Sequence, residues 1–131
     1  MSGHKDTRPV KLEIRDMTKL YKNGDGVQNI NLSIYEGEIV TMLGPSGCGK
    51  STILRTIGGF LDITSGDILI DNKSVVHLPP EKRPTAMVFQ SYNLWTHMTI
   101  YENLAFGLKL RKTPKPVIKT EVEKYLELVS M

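Results

Sequence analysis

The chain has 131 residues, 40% of them hydrophobic and 24% charged, with 11 Gly, 7 Pro and a single Cys. Seventeen Lys and Arg against 14 Asp and Glu give a formal net charge of +3, spread along the sequence without a long basic run, so composition makes no case for nucleic-acid binding. One cysteine excludes an internal disulfide and a CxxC metal site. No apolar stretch approaches the roughly 18 residues of a membrane span, and the polar start MSGHKDTRPV lacks a signal peptide's apolar core, so a reducing intracellular setting is the expectation.

Residues 1–9 read as a polar leader. From Val10 the residues alternate, with Val10, Leu12 and Ile14 apolar and Lys11, Glu13 and Arg15 polar, which predicts a half-buried strand. The cluster Lys22-Asn23-Gly24-Asp25-Gly26 marks a turn, and Val27, Ile30, Leu32 and Ile34 resume a strand pattern, so residues 11–35 are expected to pair antiparallel. Residues 38–43 (EIVTML) are short and nearly continuously apolar, the pattern of a strand buried on both faces. A Gly-rich segment follows. An amphipathic helix over 51–60 then places Ile53, Leu54 and Ile57 on one face and ends near Gly58-Gly59. Ile68-Leu69-Ile70 reads as a hairpin strand, residues 77–84 as a proline-rich loop, and residues 85–89 (TAMVF) as a second buried strand. Thr99-Ile100-Tyr101-Glu102 fits a capping box that opens a helix, and a last helix is predicted from about Val117.

One motif carries chemistry. Gly44-Pro45-Ser46-Gly47-Cys48-Gly49-Lys50-Ser51 fits G-x-x-x-x-G-K-[ST], between a predicted buried strand and a predicted helix. The glycines let the backbone curl so that several N–H groups face phosphate oxygens, and the helix start adds donors and the positive end of a dipole. In this pattern Lys50 places a point charge on the β- and γ-phosphates and the Ser51 hydroxyl ligates Mg²⁺. Cys48 is a small filler whose thiol pKa a helix start lowers. The motif names a ligand class and not a function. The guanine motif N-K-x-D is not matched, since Asn72-Lys73-Ser74 is followed by Val75. The three histidines, His4, His77 and His97, have no paired ligand pattern.

Together GPSGCGKST, SGDILIDNK and AMVFQSYNLWTHMTIYENLAFGLKLRK resemble the ATP-binding subunit of an ABC transporter, over essentially all of residues 10–131. The likeness is strongest to importers of sugars, polyamines or phosphonate-like solutes. It implies an α/β P-loop NTPase fold, here its N-terminal part: residues 10–90 as P-loop core with an antiparallel β subdomain, and residues 91–131 as the start of the helical subdomain. It implies that Gly44, Pro45, Ser46, Gly47, Cys48, Gly49, Lys50, Ser51 and Thr52 cradle ATP and that Tyr21 stacks on adenine. Gln90 resembles the Q-loop glutamine, which reaches Mg²⁺ or the attacking water; with Lys50 it is the chain's catalytic candidate. Thr96 stands where relatives often carry Pro.

The resemblance also implies partners. Membrane-spanning permease subunits are expected against the stretch after Gln90, with Tyr92, Leu94 and Trp95 as candidate contacts. A second ATPase subunit is expected as an ATP-dependent dimer, an extracellular solute-binding protein as an indirect partner, and the cytoplasmic face of the plasma membrane as a peripheral location. The family's signature, Walker B Asp-Glu, D-loop and switch His have no counterpart in these residues. Ile68-Leu69-Ile70-Asp71 imitates a Walker B strand but is followed by Asn72. The chain is therefore expected to be the N-terminal half of such an ATPase domain, either a piece of a longer protein or a truncated product, able to bind ATP and inactive by itself. A binding module without hydrolysis, or another P-loop enzyme such as a small-molecule kinase, remains an alternative at this point.

Two strands predicted to be buried on both faces need neighbours that these residues do not supply. Residues 1–131 alone are accordingly expected to melt broadly and to self-associate; a sharp, cooperative melt with a monomeric solution profile contradicts this.

Overall fold

The computed structural model describes residues 7–44, 49–89 and 91–130. They fall into two compact units, divided between Met87 and Val88. The first is built on a four-stranded antiparallel sheet ordered β2-β1-β3-β4, with β1 at Val10–Leu20, β2 at Gly26–Tyr35, β3 at Ser65–Ile70 and β4 at Lys73–Ser74. Pairings such as Ile14 with Leu32 and Ile14 with Ile68 set the register. The alternation of β1 does not run unbroken. A bulge at Asp16, which has φ +46°, brings Met17 inward after Ile14, so both are buried. Asn31 holds this bulge: its Oδ1 accepts from the Asp16 amide and its Nδ2 donates to Asp16 Oδ1, each at 3.0 Å.

Helix α1, Lys50–Gly58, packs Ile53 and Ile57 against a core of Ile14, Met17, Val27, Ile68, Ile70 and Val75. Leu54, expected on the same face, is exposed. The helix ends in a Schellman arrangement. Gly59 sits at φ +86°, its amide donates to the Thr56 carbonyl, and the Phe60 amide donates to the Arg55 carbonyl.

Arg83 finishes this end of the helix. Its side chain is buried, its Nη1 donates to the carbonyls of Thr56 at 2.8 Å and Ile57 at 3.2 Å, and its Nε donates to the Leu78 carbonyl at 2.9 Å. Burial pushes the guanidinium below the usual arginine pKa, while the Asp62 carboxylate opposes that shift. A cation on the last carbonyls of a helix satisfies orphan acceptors and complements the dipole. Gly59 is required here for a second reason: a Cβ there would lie 2.7 Å from Arg83 Nε.

The two segments expected as strands buried on both faces, residues 38–43 and 85–89, form no strand among the described residues. Ile39 is 92% exposed, Leu43 93% and Val88 80%. A strand of this kind exists only when neighbours hydrogen-bond its edges and other layers cover its faces, and no described residues do so here.

The second unit holds α2, Ile100–Leu110, and α3, Lys115–Leu128, packed through Ala105, Ile118 and Val122 with Leu108 and Leu126 beside them. The expected capping box opens α2: Thr99 Oγ1 accepts from the Glu102 amide at 3.1 Å, and Glu102 Oε2 accepts from the Thr99 amide at 2.9 Å. No helix of the described residues is long and apolar enough to cross a membrane.

Replacing Arg83 by Ala strands the carbonyls of Thr56, Ile57 and Leu78 in the interior. The expected cost is about 2–4 kcal/mol, read as a lower denaturant midpoint. Arg83→Lys keeps the charge without the forked donors and should recover less than half of the loss. An unchanged midpoint in Arg83→Ala contradicts the assignment.

Candidate functional site

The site is built around the start of α1. Gly49 occupies the N-cap position at φ +96°, a left-handed conformation that only glycine adopts without strain. A Cβ there would overlap Val27 Cγ1, so Gly49 itself lies directly against β2. The first intrahelical bond runs from the Ile53 amide to the Gly49 carbonyl at 3.0 Å. The amides of Lys50, Ser51 and Thr52 therefore precede the helical ladder. No side chain caps this end, and its first turn contains no acid. Among the described residues the positive end of the α1 dipole thus has neither a side-chain cap nor an acid in its first turn, the reverse of the end that Arg83 closes.

Lys50 lies on this first turn, and its ammonium donates to the carbonyl of Gly44. That contact draws together the two ends of the loop between residues 44 and 50. Ser51 is exposed beside it, and Thr52 is half-buried. Pro45, Ser46, Gly47 and Cys48 lie outside the described residues, as does Gln90.

Tyr21 reaches the same turn from 31 residues away in sequence. Its hydroxyl and Thr52 Oγ1 are hydrogen-bonded at 3.0 Å. The Tyr21 amide donates to the Asp25 carbonyl at 2.7 Å and the Gly24 amide donates back to the Tyr21 carbonyl at 2.9 Å, which fixes the turn that carries the ring. The Lys19 ammonium lies 5.5 Å from the ring centroid. The ring itself remains 39% exposed. A half-exposed aromatic, anchored at its hydroxyl to the first turn of α1, offers a flat face beside that turn.

Tyr92, Leu94 and Trp95 belong to the second unit, and the structure separates them. Tyr92 and Leu94 are 74% and 70% exposed, and Tyr92 stands at φ +61° beside Asn93 at φ +51°. Trp95 instead packs on Phe106, with ring centroids 4.3 Å apart. Asn103 holds this loop to α2. Its Oδ1 accepts from the Trp95 amide at 2.9 Å, and its Nδ2 donates to the carbonyls of Trp95 at 3.1 Å and Thr99 at 2.9 Å.

Neither Arg83 nor Asn103 emerges from sequence reasoning. Arg83 lies in a charged, proline-rich loop and resembles any solvated arginine. Asn103 carries a weak signal, since asparagine is a poor helix interior residue and its presence one turn after a capping box asks for a reason. Among the described residues no group of three or more His, Cys, Asp or Glu gathers as a metal site.

Comparison with known proteins places this geometry. The family model for the ABC transporter matches residues 27–131. The chain is 44% identical, over all 131 residues, to the spermidine/putrescine import ATP-binding protein PotA of Pasteurella multocida, covering 35% of that protein. It is 44% identical over 121 residues to the PotA of Thermotoga maritima, covering 92% of this chain and 33% of that one. The chain thus spans about a third of the length of these curated relatives. Among solved structures it resembles CbiO1 of Clostridium perfringens, part of the ABC transporter complex CbiONQ, with a TM-score of 0.74, 28% identity, and coverage of 92% of this chain and 50% of that one. It also resembles an ATP-binding cassette solved as a dimer in a post-hydrolysis state with ADP and Pi, with a TM-score of 0.78, 30% identity, and coverage of 92% and 57% respectively. An α/β ATPase fold shared with solved ATP-binding cassettes, a phosphate-motif glycine in the left-handed region at the start of a helix, and a family match over most of the chain lead to one conclusion: the chain belongs to the ABC transporter family, within its ATP-binding domain.

Proposed function

We propose that this chain is the nucleotide-binding part of an ABC importer's ATP-binding subunit. In the full-length protein it binds MgATP, pairs with a second ATPase subunit and supports hydrolysis that drives solute uptake. The observation that carries the reading is the position of Tyr21, hydrogen-bonded to the first turn of α1, the turn that bears Lys50 and has no side-chain cap among the described residues. The ring supplies a stacking platform for a purine, and the turn supplies donors for the phosphates.

Each residue then has a physical task. The amides from Gly49 to Thr52, with those of Pro45-to-Cys48 residues that have an N–H, surround the β- and γ-phosphates. Lys50 exchanges the Gly44 carbonyl for phosphate oxygens, a charge-assisted contact stronger than the neutral one it leaves. The first turn offers an exposed hydroxyl, Ser51, and the described residues gather no acidic cage. This suits Mg²⁺, which keeps several waters and binds through few protein oxygens together with phosphates. Ser51 would hold it, with Gln90 as the second protein ligand. When bound, the ion neutralises the charge of the phosphates. Phosphoryl transfer of this class rests on positioning and charge neutralisation, and these residues supply the phosphate half of that task.

The importer assignment is supported by the relatives, which are named for spermidine and putrescine import. Polyamine uptake is therefore the first activity to assay for the full-length protein. Permease subunits are the proposed partners of the exposed Tyr92 and Leu94, at the cytoplasmic face of the membrane. The exposed apolar residues Ile39, Leu43 and Val88 mark the segments that further strands of the full-length protein would pair and cover.

Titrating ATP into the full-length protein tests the phosphate site. Lys50→Ala should weaken binding by about a hundredfold or more, because it removes the cation from a site that must hold a polyanion. Gly49→Ala should weaken it by about tenfold or more, since the new Cβ meets Val27 in a backbone conformation that alanine avoids. Unchanged ATP affinity in a folded Lys50→Ala protein contradicts the proposal.

A further inference from the structure

We infer that Thr52 is a positioning residue for Tyr21, so that the base platform and the phosphate turn are assembled as one unit. This rests on the nucleotide-site reading above and deepens it. The hydroxyls of Tyr21 and Thr52 are 3.0 Å apart, a hydrogen bond between a hairpin turn and the first turn of α1. Within the hairpin, the Lys19 ammonium lies near the ring face. The bonds within the turn hold the Tyr21 backbone, leaving rotation about the side-chain torsions free. At 39% exposure the ring is not clamped by packing. The hydroxyl bond to Thr52 and the Lys19 ammonium 5.5 Å from the centroid favour one orientation.

The backbone on both sides of this bond is well held. Thr52 is half-buried on a helix whose far end is closed by Arg83 and Gly59. The Tyr21 turn is stapled at its other side, where the Leu20 amide donates to Thr64 Oγ1 at 2.9 Å. A hydrogen bond between two firm supports orders the ring before ligand arrives, so the ordering cost is not met at binding. The Tyr21 hydroxyl therefore has a task separate from that of the ring's π-face. The Thr52 hydroxyl serves the base, while its amide remains among the donors of the phosphate turn.

The test uses the full-length protein and two probes, MgATP and Mg-tripolyphosphate, the second lacking a base. Tyr21→Phe and Thr52→Val should each weaken ATP by roughly three- to tenfold, the scale of one net neutral hydrogen bond, and should leave tripolyphosphate affinity unchanged. The double variant should be no weaker than either single one, and Thr52→Ser should restore ATP affinity. Tyr21→Ala, which removes the platform, should cost more than Tyr21→Phe for ATP alone. If Tyr21→Ala weakens ATP but Tyr21→Phe and Thr52→Val do not, the inference is overturned while the platform reading stands. If Thr52→Val weakens both probes equally, Thr52 serves the phosphate turn, and the inference is again overturned. If Tyr21→Ala leaves ATP affinity unchanged, the platform reading itself fails and the inference with it.

Discussion

Everything at this site depends on the opposite treatment of the two ends of α1. A helix carries about half a positive charge at its N-terminus and half a negative one at its C-terminus. Here the negative end is closed by a buried guanidinium on the Thr56 and Ile57 carbonyls, with the Gly59 amide on Thr56 and the Phe60 amide on the Arg55 carbonyl. The positive end receives no acid and no side-chain cap. A helix designed only for stability would cap both. Leaving one end without a side-chain cap among the described residues, while fixing the other, is what the proposed phosphate site requires.

The antiparallel sheet places the rest of the site around that open end. Val27 on β2 lies against Gly49 and leaves no room for a Cβ there. The turn between β1 and β2 brings Tyr21 over the first helical turn. The bulge at Asp16, held by Asn31, turns Met17 into the core beneath them. The one of these backbone conformations that costs energy, Asp16 at φ +46°, is compensated by the Asn31 contacts, while Gly49 adopts φ +96° without that cost because it is glycine.

Much of this was legible in the sequence where the signal is local. The capping box at Thr99 and Glu102, the glycine stop at Gly59 and the β1–β2 pairing follow from spacing and turn chemistry, and the structure forms all three. The phosphate motif located the turn at Gly49 to Thr52 in the same way. The strands expected over 38–43 and 85–89 are a different case. Their apolar runs describe an environment, and an environment is supplied by other strands, so Ile39, Leu43 and Val88 stand exposed where no described neighbour pairs with them. Arg83 and Asn103 were not legible because their partners are backbone carbonyls and amides, which every sequence contains and none advertises. The Tyr21–Thr52 bond combines two signals that the sequence reading kept separate, a stacking aromatic and a motif residue.

The central claim is that the open first turn of α1 receives the phosphates of a nucleotide. Amide hydrogen exchange of the full-length protein with and without MgATP tests this most directly, because it reads the backbone donors themselves. The account predicts strong protection of the amides from Gly49 to Thr52 with MgATP and none with adenosine. Saturating MgATP that leaves those amides unprotected, while protecting amides elsewhere, would contradict it.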